Sequence, residues 1–576
     1  MSLLDLSWKN QEIEGQQRLI LKLSNEFNIS KTFASILVSR KLYQLDAVAT
    51  YLFPSEKDCH HPRKLYQIDL AVNRIYQALQ LRQKIAVYGD YDMDGTAATV
   101  IMYRYLRKIG GRVSYFIPER LKDGYGMSEA TLIMLKSKKV DLIITVDNGS
   151  ASVKEAHFLR QAGIDLIITD HHQLGTEIPD ALAVINPMHP HGTYPFSGLC
   201  GAGVAYKLLI ALDEKLEKHH YWETSGCIRP NLERDLDLVA IATIADRMPL
   251  IDENRFLVRK GLEILNQHPR PGLEALIKAC RVHGEITPNA ISFKIAPKIN
   301  AVGRLSDPSV GVKLLLSKSV HEARPFAQIL IDLNAERQNI ERKILHSAML
   351  SADTQSDKHF IILLDETWHP GLMGNIAAKI ASQFHKPTLA LTLSQDNFLV
   401  GSVRGVGGMD VWTMLERCSG FLEKYGGHEA AAGLSLVTQN LQGFCRKFED
   451  AVELALNQPL RSANELMIDT WIEGDQINQQ FIEELTKMSP FGSNNPEPVL
   501  GISGALVKKL SLFGKNHLKF MIETCAKEFE IVAWEHSDWY LKLGKTMDLA
   551  VTPQGWDHDN HENKPFQFKA IDVKSA

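Results

Sequence analysis

The sequence is most informative at Val87-Tyr-Gly-Asp90-Tyr-Asp92-Met-Asp94-Gly95-Thr96, where three carboxylates occupy alternate positions. They follow the apolar run Ile85–Val87, which is typical of a buried strand, and they precede a helical pattern. Two unit charges about 4 Å apart repel by roughly 4 kcal/mol at an effective dielectric constant of about 20. A fold keeps such a cluster when a cation neutralises it, so this stretch predicts metal binding.

Composition places the chain among globular proteins. It has 576 residues, 45% hydrophobic and 23% charged, which predicts three or four domains. No apolar run reaches the length of a membrane span, about 18 residues, and the polar segment Met1–Gln11 argues against a signal peptide. Seven scattered cysteines without a CxxC pair favour a reducing, cytoplasmic location. The net charge of −4 argues against simple coating of nucleic acid, but it allows a nuclease whose acidic site is neutralised by metal ions.

Periodicity divides the chain into segments of different character. Strands alternate with helices through 61–315 and again through 356–455, which predicts two α/β domains, the first with a parallel, doubly wound sheet. The other predicted segments are an N-terminal helical segment over 1–60, a connecting helix over 316–355 and a small β-barrel over 465–576. In the first, Ser30 is the predicted cap of a helix through Lys41, and in the second the apolar residues have heptad-like spacing.

Polar residues follow several of the predicted strands directly. Asp90, Asp147 and Asp170-His171-His172 each come just after an apolar strand, and Asp246 ends an apolar helix. Ligand sites in open α/β sheets form at the carboxyl ends of the strands. Oxygen ligands with imidazoles and no thiolate suit Mn²⁺ or Mg²⁺ better than structural zinc. Two such ions about 3.5–4 Å apart can clamp a phosphoryl group and activate a water.

These motifs resemble the DHH phosphoesterase superfamily. The residues that carry the resemblance are Asp90-Tyr-Asp-Met-Asp-Gly95, Val146-Asp-Asn-Gly149, Asp170-His-His172 and Asp246. Further motifs, in order from about residue 50 onward, are similar to the bacterial single-strand-specific 5′→3′ DNA exonucleases of that superfamily: Ile117-Pro-Glu-Arg120, Asn300-Ala-Val-Gly303-Arg304, Trp368-His-Pro-Gly371 and Gly426-Gly-His428-Glu-Ala-Ala-Ala-Gly433. The resemblance implies a DHH catalytic domain (61–315), a long connecting helix, a DHHA1 substrate-binding domain (356–455) and a C-terminal OB-like barrel (465–576).

The resemblance also implies roles at the acidic site. The positions that match the family's ligands for two Mn²⁺ or Mg²⁺ ions, with Asp147 as the bridge, are Asp92, Asp94, Asp147, His171 and Asp246. Asp90 would ligate or orient, and Asp170 would hold the histidines. His172 would contact the scissile phosphate or assist proton transfer to the leaving group. The sequence alone leaves open which histidine ligates and which assists.

A second group of residues suits an anionic substrate. A guanidinium binds phosphate bidentately, although a lone arginine is more often a surface or ion-pair residue. The glycines before His428 predict a close-approach turn with free backbone donors. The predicted substrate-binding residues are Arg120, Arg304, Ser402, Arg404, Gly427 and His428. The resemblance implies that the DHHA1-type module, around residues 360–450, is a substrate-binding lid that faces the metal site. A 5′-phosphate pocket in this module would set the polarity of digestion.

The C-terminal segment carries three further predictions. Its candidates for binding single strands are Lys508, Lys509, Phe513, Lys515 and Lys519, with a solvated basic face as the alternative. The stretch Ser489–Pro498 is similar to a family signature, with Asn494 where glycine is more usual, and a positive φ there would be tolerated by asparagine. Trp556–His561 has metal-ligand residue types, but a polar hairpin loop is expected.

The predicted function is a cytoplasmic exonuclease that removes nucleoside 5′-monophosphates from the 5′ end of single-stranded DNA in recombination and repair. Its predicted partners are single-stranded DNA, a single-strand-binding protein and a helicase, with no membrane and a monomeric state. One alternative is a DHH/DHHA1 phosphodiesterase acting on short oligoribonucleotides or cyclic dinucleotides, but such chains are generally shorter and lack the barrel. Another is a non-catalytic DNA-binding scaffold, but scaffolds of this ancestry lose metal ligands that this chain keeps.

Overall fold

The computed structural model describes residues 2–10, 16–118, 126–355, 357–394, 397–456, 465–554 and 566–575, except the side chains at 304, 305 and 428. These residues form two compact units. The first lies within 1–300, 308–328 and 464–576, and the second within 301–307 and 329–463. None of the helices in the described ranges combines the length and the apolar character that crossing a membrane requires.

A five-stranded parallel sheet forms the centre of the first unit, as the alternation of strands and helices predicts. In spatial order its strands are Arg112–Phe116, Lys84–Tyr88, Leu142–Val146, Asp165–Thr169 and Ala183–Ile185. Strands Lys84–Tyr88 and Leu142–Val146 are almost wholly apolar and buried, because helices cover both faces of a parallel sheet. All carboxyl ends of the strands therefore meet at one edge.

Helices account for most of the rest of the first unit. The helices that accompany the sheet and follow it are Ile68–Gln80, Met93–Lys108, Glu129–Ser137, Val153–Gln161, Gly201–Lys218, Tyr221–Ser225, Leu236–Ala245, Asp252–Gln267, Pro271–Ala279, Pro288–Ala290 and Ser309–Leu316. Two more helices, Ala296–Leu305 and Val320–Asp353, run from the first unit into the second. The second of these is the connecting helix that the heptad-like spacing predicts.

A closed β-barrel ends the first unit. Its strands are Leu500–Phe513, His517–Thr524, Lys527–Ala533, Gln567–Ser575 and Thr546–Gln554, and the last of these pairs back onto the first. The short strand Thr470–Trp471 adds to Leu500–Phe513, and helix Gln479–Thr486 precedes the barrel. The predicted OB-like barrel is therefore present.

The N-terminal segment is helical, as predicted, and packs on this barrel. Its helices are Gln17–Phe27, Lys31–Ser39 and Leu45–Leu52. Ser30 caps the second helix by accepting the Phe33 N–H at 3.1 Å, which is the cap that the sequence indicates. Apolar residues of these helices and of the barrel form one buried cluster. Strand Ser7–Asn10, which no sequence pattern predicts, pairs in parallel with Glu465–Ile468.

The second unit is a five-stranded mixed sheet with helices. Its strands, in spatial order, are Lys424–His428, Ala431–Val437, Phe398–Arg404, Thr388–Leu393 and Ile361–Leu364, and its helices are Met373–Phe384, Val411–Arg417 and Leu441–Leu456. The prediction of a turn at Gly426-Gly427-His428 is wrong, because these residues form the edge strand. The edge strand nevertheless approaches its neighbouring strand closely at Gly427. Gly427 has φ +152°, and a Cβ there would lie 2.4 Å from the Ala431 carbonyl oxygen of the neighbouring strand.

Candidate active site

The acidic stretch forms the turn between strand Lys84–Tyr88 and helix Met93–Lys108. Asp92 is the N-cap of this helix, and its Oδ1 accepts the Gly95 N–H at 3.0 Å. A Cβ on Gly95 would lie 2.6 Å from the Asp90 Cβ. Glycine at this position therefore lets Asp90 lie directly against the first turn of the helix.

Asp94 points from the same turn to the start of another helix. Its two carboxylate oxygens accept the N–H groups of Gly201 and Ala202, each at 2.7 Å, at the beginning of helix Gly201–Lys218. The positive end of a helix dipole stabilises a buried carboxylate in this position. Nothing in the sequence motifs identifies this partner, although Cys200-Gly-Ala-Gly203 before a helical pattern is a helix-start signal.

Asp147 occupies a left-handed backbone conformation, with φ +62°, directly after strand Leu142–Val146. Aspartate tolerates this region better than most residues. The Asp147 side chain lies against helix Gly201–Lys218, because a Cβ on Gly201 would be 2.5 Å from the Asp147 Cβ. Among the described residues, the buried Asp147 Oδ1 accepts no hydrogen bond, and it lies 3.2 Å from His171 Nε2.

Asp170 organises the two histidines that follow strand Asp165–Thr169. Its oxygens accept the N–H groups of Ser150 at 2.9 Å and His171 at 2.8 Å, and its Oδ1 lies 2.8 Å from His172 Nδ1. His171 Nε2 lies 3.6 Å from both Asp94 Oδ2 and Asp246 Oδ2. The resulting geometry orients the two rings differently: His171 faces the carboxylates, and His172 is held by Asp170.

Asn148 and Asn186 hold the strand ends around these groups. Asn148 Nδ2 donates to the carbonyl oxygens of Tyr88 at 3.2 Å and Val146 at 2.9 Å. Asn186 Nδ2 donates to the His172 carbonyl oxygen at 2.8 Å. Sequence reasoning missed Asn186 as part of the site, and its position just after strand Ala183–Ile185 was the available signal.

Crowding of carboxylates shifts the acid–base equilibria of the site. Burial, together with the charges of neighbouring aspartates, raises the pKa of Asp92 and raises that of Asp147 strongly. Burial and the charges of Asp94 and Asp92 raise the pKa of Asp246 to about 8. Such mutual repulsion between buried carboxyl groups is relieved when a cation binds among them.

The two histidines shift in opposite directions. Burial lowers the pKa of His171. For His172, burial acts in the same sense, but the hydrogen bond and charge of Asp170 outweigh it and raise the pKa to about 9. Burial alone would raise the pKa of Asp170, whereas its contacts with His172 and His171 lower it. His171 is thus suited to be neutral and His172 to be protonated.

Ligand atoms at the site form three groups, and the atoms of each group lie within 4.8 Å of one another. The groups are Asp90, Asp92 and Asp147; Asp147, His171 and His172; and Asp94, His171 and Asp246. Asp147 and His171 each belong to two groups. The free Asp147 oxygen and the oxygen-plus-imidazole donor set fit divalent cations such as Mn²⁺ and Mg²⁺. All eight polar residues predicted from the acidic motifs are therefore brought together.

Ser402 and Arg404 form a second polar site, in the second unit. Both are half-buried on strand Phe398–Arg404, next to the first turn of helix Met373–Phe384. A Cβ on Gly374 would lie 3.0 Å from Arg404 Nη2 and 3.4 Å from Ser402 Oγ. Burial lowers the pKa of Arg404. A guanidinium, a hydroxyl and a helix N-terminus together suit an anion.

Several predicted residues fall outside what the structure describes. Arg120 and the segment Trp556–His561 lie outside the described residues, and so do the side chains of Arg304 and His428. On the barrel, Lys508 contacts Glu523 and Glu528, and Lys519 Nζ lies 2.5 Å from Glu530 Oε2. These two lysines favour the alternative of a solvated, ion-paired face. Phe513 lies in an aromatic group with His517 and Trp534.

Three family models match the chain. They are the N-terminal domain of the DHH family over residues 84–243, the DHHA1 domain over 357–454 and the RecJ OB domain over 468–570.

Two similar proteins carry the name single-stranded-DNA-specific exonuclease RecJ. The one from Bacillus subtilis is 32% identical over 542 residues, covering 92% of this chain and 66% of the relative. The one from Dickeya dadantii is 35% identical over 480 residues, covering 80% of this chain and 82% of the relative. The chain thus spans just under two thirds of the B. subtilis protein and most of the D. dadantii protein.

Solved structures of RecJ are also similar to this chain. The crystal structure of RecJ from Thermus thermophilus in complex with Mn²⁺ matches with a TM-score of 0.81 at 27% identity, covering 100% of this chain and 80% of that one. The same relative in complex with Mg²⁺ matches with a TM-score of 0.75 at 26% identity, covering 99% and 78%.

Proposed function

The chain belongs to the RecJ family, and from that premise we propose that it is a single-stranded-DNA-specific 5′→3′ exonuclease that releases nucleoside 5′-monophosphates. The observation that carries the proposal is the position of Asp147, which belongs to two converging groups of ligands and has a buried carboxylate oxygen that accepts no hydrogen bond among the described residues. A carboxylate shared between two groups of ligands suits a pair of divalent ions.

The residues that would hold two Mn²⁺ or Mg²⁺ ions are Asp92, Asp94, Asp147, His171 and Asp246, with Asp90 orienting the cluster. When bound, the ions supply Lewis-acid stabilisation of the phosphoryl group and lower the pKa of the attacking water. The amides of Gly201 and Ala202 donate to the two oxygens of Asp94 and fix the position of its carboxylate.

His172 would serve the leaving group. A metal ligand must be a neutral imidazole, and His171 meets that condition because burial lowers its pKa. His172 is held protonated by Asp170, with a pKa of about 9. It can therefore donate a hydrogen bond to the scissile phosphate and pass a proton to the departing oxygen. We therefore propose His171 as the metal ligand and His172 as the group that assists, a choice that the sequence left open.

Ser402 and Arg404 would bind the terminal 5′-phosphate of the strand. Their placement beside the N-terminus of helix Met373–Phe384 supports this role. The other predicted substrate-binding residues stay predictions: Arg120, Arg304, Gly427 and His428. Cleavage then proceeds from the 5′ end because only that end carries the phosphate that the pocket holds.

The barrel and the complete ligand set favour this function over both alternatives. Phosphodiesterases for short oligoribonucleotides or cyclic dinucleotides generally lack the barrel that this chain has, and scaffolds of this ancestry lose metal ligands. The cellular setting that completes the proposal is recombination and repair in the cytoplasm, as a monomer, with a single-strand-binding protein and a helicase as partners. The seven cysteines, all free, fit a reducing compartment.

Digestion of end-labelled single-stranded DNA tests the proposal. With Mn²⁺ or Mg²⁺, we expect early release of a 5′-labelled mononucleotide and stepwise shortening of the 3′-labelled strand, with no cleavage in EDTA or of a matched duplex. Binding without cleavage would favour the scaffold, and cleavage confined to very short RNA would favour the oligoribonuclease.

The phosphate pocket has its own test. Loss of a charged, bidentate contact costs about 1.5–3 kcal/mol. We therefore expect Arg404→Lys to lower the preference for a 5′-phosphate over a 5′-hydroxyl end by about tenfold or more. Arg417→Lys, at an exposed position of the same unit, is the control and should leave this preference unchanged.

A further inference from the structure

The loop that carries Asp246 differs from the rest of the metal centre. The other ligands follow strands of the parallel sheet or start the helix after one, whereas Asp246 follows helix Leu236–Ala245 and has a side chain that is 34% exposed. The next residue, Arg247, has φ +56°, so the chain turns sharply away from the helix. An exposed ligand on such a loop needs support from elsewhere in the fold.

That support comes from the segment before the barrel. The Leu250 N–H, four residues after Asp246, donates to the Ser493 carbonyl oxygen at 2.9 Å. Leu250 itself is buried, and a Cβ on Gly492 would lie 2.7 Å from its Cδ1. On the other side, Asn254 Nδ2 donates to the Pro249 carbonyl oxygen at 3.0 Å. The Asp246 loop is therefore held between helix Asp252–Gln267 and residues 492–493.

Residues 489–496, here called the brace loop, are themselves held in one shape by Asn495. Its Nδ2 donates to the carbonyl oxygens of Met488 at 2.9 Å and Pro490 at 2.8 Å. Its Oδ1 accepts from Tyr51 Oη at 2.8 Å, and its backbone exchanges two hydrogen bonds with Gly492, at 2.9 and 3.1 Å. Asn495 is 2% exposed, so water cannot replace these bonds.

Arg255 ties the two residues directly before the brace loop to the same helix. It is 2% exposed, and its guanidinium donates to the carbonyl oxygens of Met488 at 2.9 Å and Lys487 at 2.8 Å while lying 3.9 Å above the Tyr51 ring. The Met488 carbonyl oxygen therefore accepts from both Arg255 and Asn495, which links the helix after the Asp246 loop to the brace loop.

We propose that the brace loop is a positioning device for the metal centre: Asn495 and Gly492 set the place of Leu250 and thereby the place of Asp246. This proposal rests on the proposed function, because it assumes that Asp246 holds an ion. It gives a role to the signature Ser489–Pro498, more than 240 residues away along the chain, which the exonuclease chemistry leaves unexplained. Asn495 and Gly492 are positioning residues, and neither is expected to touch DNA.

Direct measurement of Mn²⁺ binding tests this, using the electron paramagnetic resonance signal of free Mn²⁺ and the full chain. Residues that orient metal ligands from outside typically contribute 10–100-fold to affinity. We expect Asn495→Ala and Gly492→Ala each to weaken binding of at least one ion by about tenfold or more. At saturating Mn²⁺ most of kcat should return, with KM for DNA unchanged.

Arg259→Met is the matched control. Arg259 lies on the same helix and donates to the Leu52 carbonyl oxygen at 3.0 Å, which lies outside the brace loop. It should lower the melting temperature without changing Mn²⁺ affinity. The proposal is wrong if Asn495→Ala and Gly492→Ala lower only the melting temperature, or if Arg259→Met weakens Mn²⁺ binding equally. Because the readout is binding, an inactive wild-type chain would overturn the proposed function and leave this result interpretable.

Discussion

At the scale of single residues, Asp147 combines an unusual backbone with an unusual charge. Its left-handed conformation favours aspartate, asparagine or glycine, and its burial among Asp90, Asp92 and Asp94 raises its pKa. Asp147→Asn keeps the backbone preference and removes the charge. We expect cleavage to fall by roughly 10²-fold or more, as when a group that stabilises transition-state charge is lost.

The same variant should remain folded. Removing one of several mutually repelling carboxylates relieves strain in the metal-free protein, so its melting temperature in EDTA should equal or exceed that of the wild type. Turnover at the wild-type rate with Mn²⁺ supplied would contradict a bridging role for Asp147.

The pKa values at the site predict how the free energy of unfolding depends on pH when no metal is bound. The folded-state pKa values of Asp246, about 8, and His172, about 9, lie above the ordinary values of 3.8 and 6.5. A group with a raised folded-state pKa stabilises the fold below its unfolded pKa and loses that contribution as pH rises through the folded value. In EDTA, the free energy of unfolding should therefore fall between about pH 6.5 and 9.

Urea denaturation at a series of pH values measures this. The lowered pKa values of His171 and Asp170 act in the opposite sense, but below the ordinary histidine value of 6.5. Mn²⁺ should remove most of the decline, and Asp246→Asn should flatten it in EDTA. A decline that is the same with and without Mn²⁺ would argue that groups outside the centre cause it.

At the scale of elements, the start of helix Gly201–Lys218 positions two of the proposed metal ligands. Its first amides bind Asp94, and Gly201 leaves room for Asp147. In Gly201→Ala, the new methyl group would lie 2.6 Å from Asp147 Oδ1, so the carboxylate must move. We expect Mn²⁺-dependent cleavage to drop at least tenfold, in a protein that still folds.

Gly203→Ala is the control for that helix. Its Cβ would meet Leu199 Cδ2 at 3.4 Å, which is ordinary contact, and alanine is favoured over glycine inside a helix by about 0.5–1 kcal/mol. This variant should keep its activity and melt at the same or a higher temperature. Equal activity losses in both variants would show that the helix start, rather than the space beside Asp147, is what matters.

At the scale of the whole molecule, the N-terminal helices and the barrel share one apolar core. Phe33, fully buried on helix Lys31–Ser39, belongs to the same cluster as Phe520 and Trp539 of the barrel. Replacing a buried phenylalanine with alanine costs about 3–5 kcal/mol. Phe33→Ala should therefore lower the protection of barrel amides against hydrogen exchange, in strand Leu500–Phe513 as well as in the N-terminal helices.

A core residue of the second unit provides the comparison. Phe444, on helix Leu441–Leu456, is fully buried in a separate apolar cluster. Phe444→Ala should reduce protection within residues 329–456 and leave the barrel protected. If Phe33→Ala loosened only its own helices, the barrel would be stable without them.

The sequence by itself determined the features that depend on near neighbours along the chain. The period of apolar residues predicted the parallel sheet, and Ser30 marked the start of a helix. Asn494 stands where the family usually has glycine, and it adopts a positive φ, +57°, which asparagine tolerates. Caps, turns and strand ends follow from local sterics and hydrogen bonding, and the acidic residues follow from where strands end.

Only the tertiary structure decided which distant residues serve the site. The amides that hold Asp94 lie 107 and 108 residues beyond it, the brace loop reaches back to Leu250 from near the barrel, and the N-terminal helices complete the core of the C-terminal barrel. The glycine start of helix Gly201–Lys218 and the signature Ser489–Pro498 show no partner in the sequence. Such pairings depend on how whole elements pack. The periodicity of one segment does not indicate which other segment packs against it.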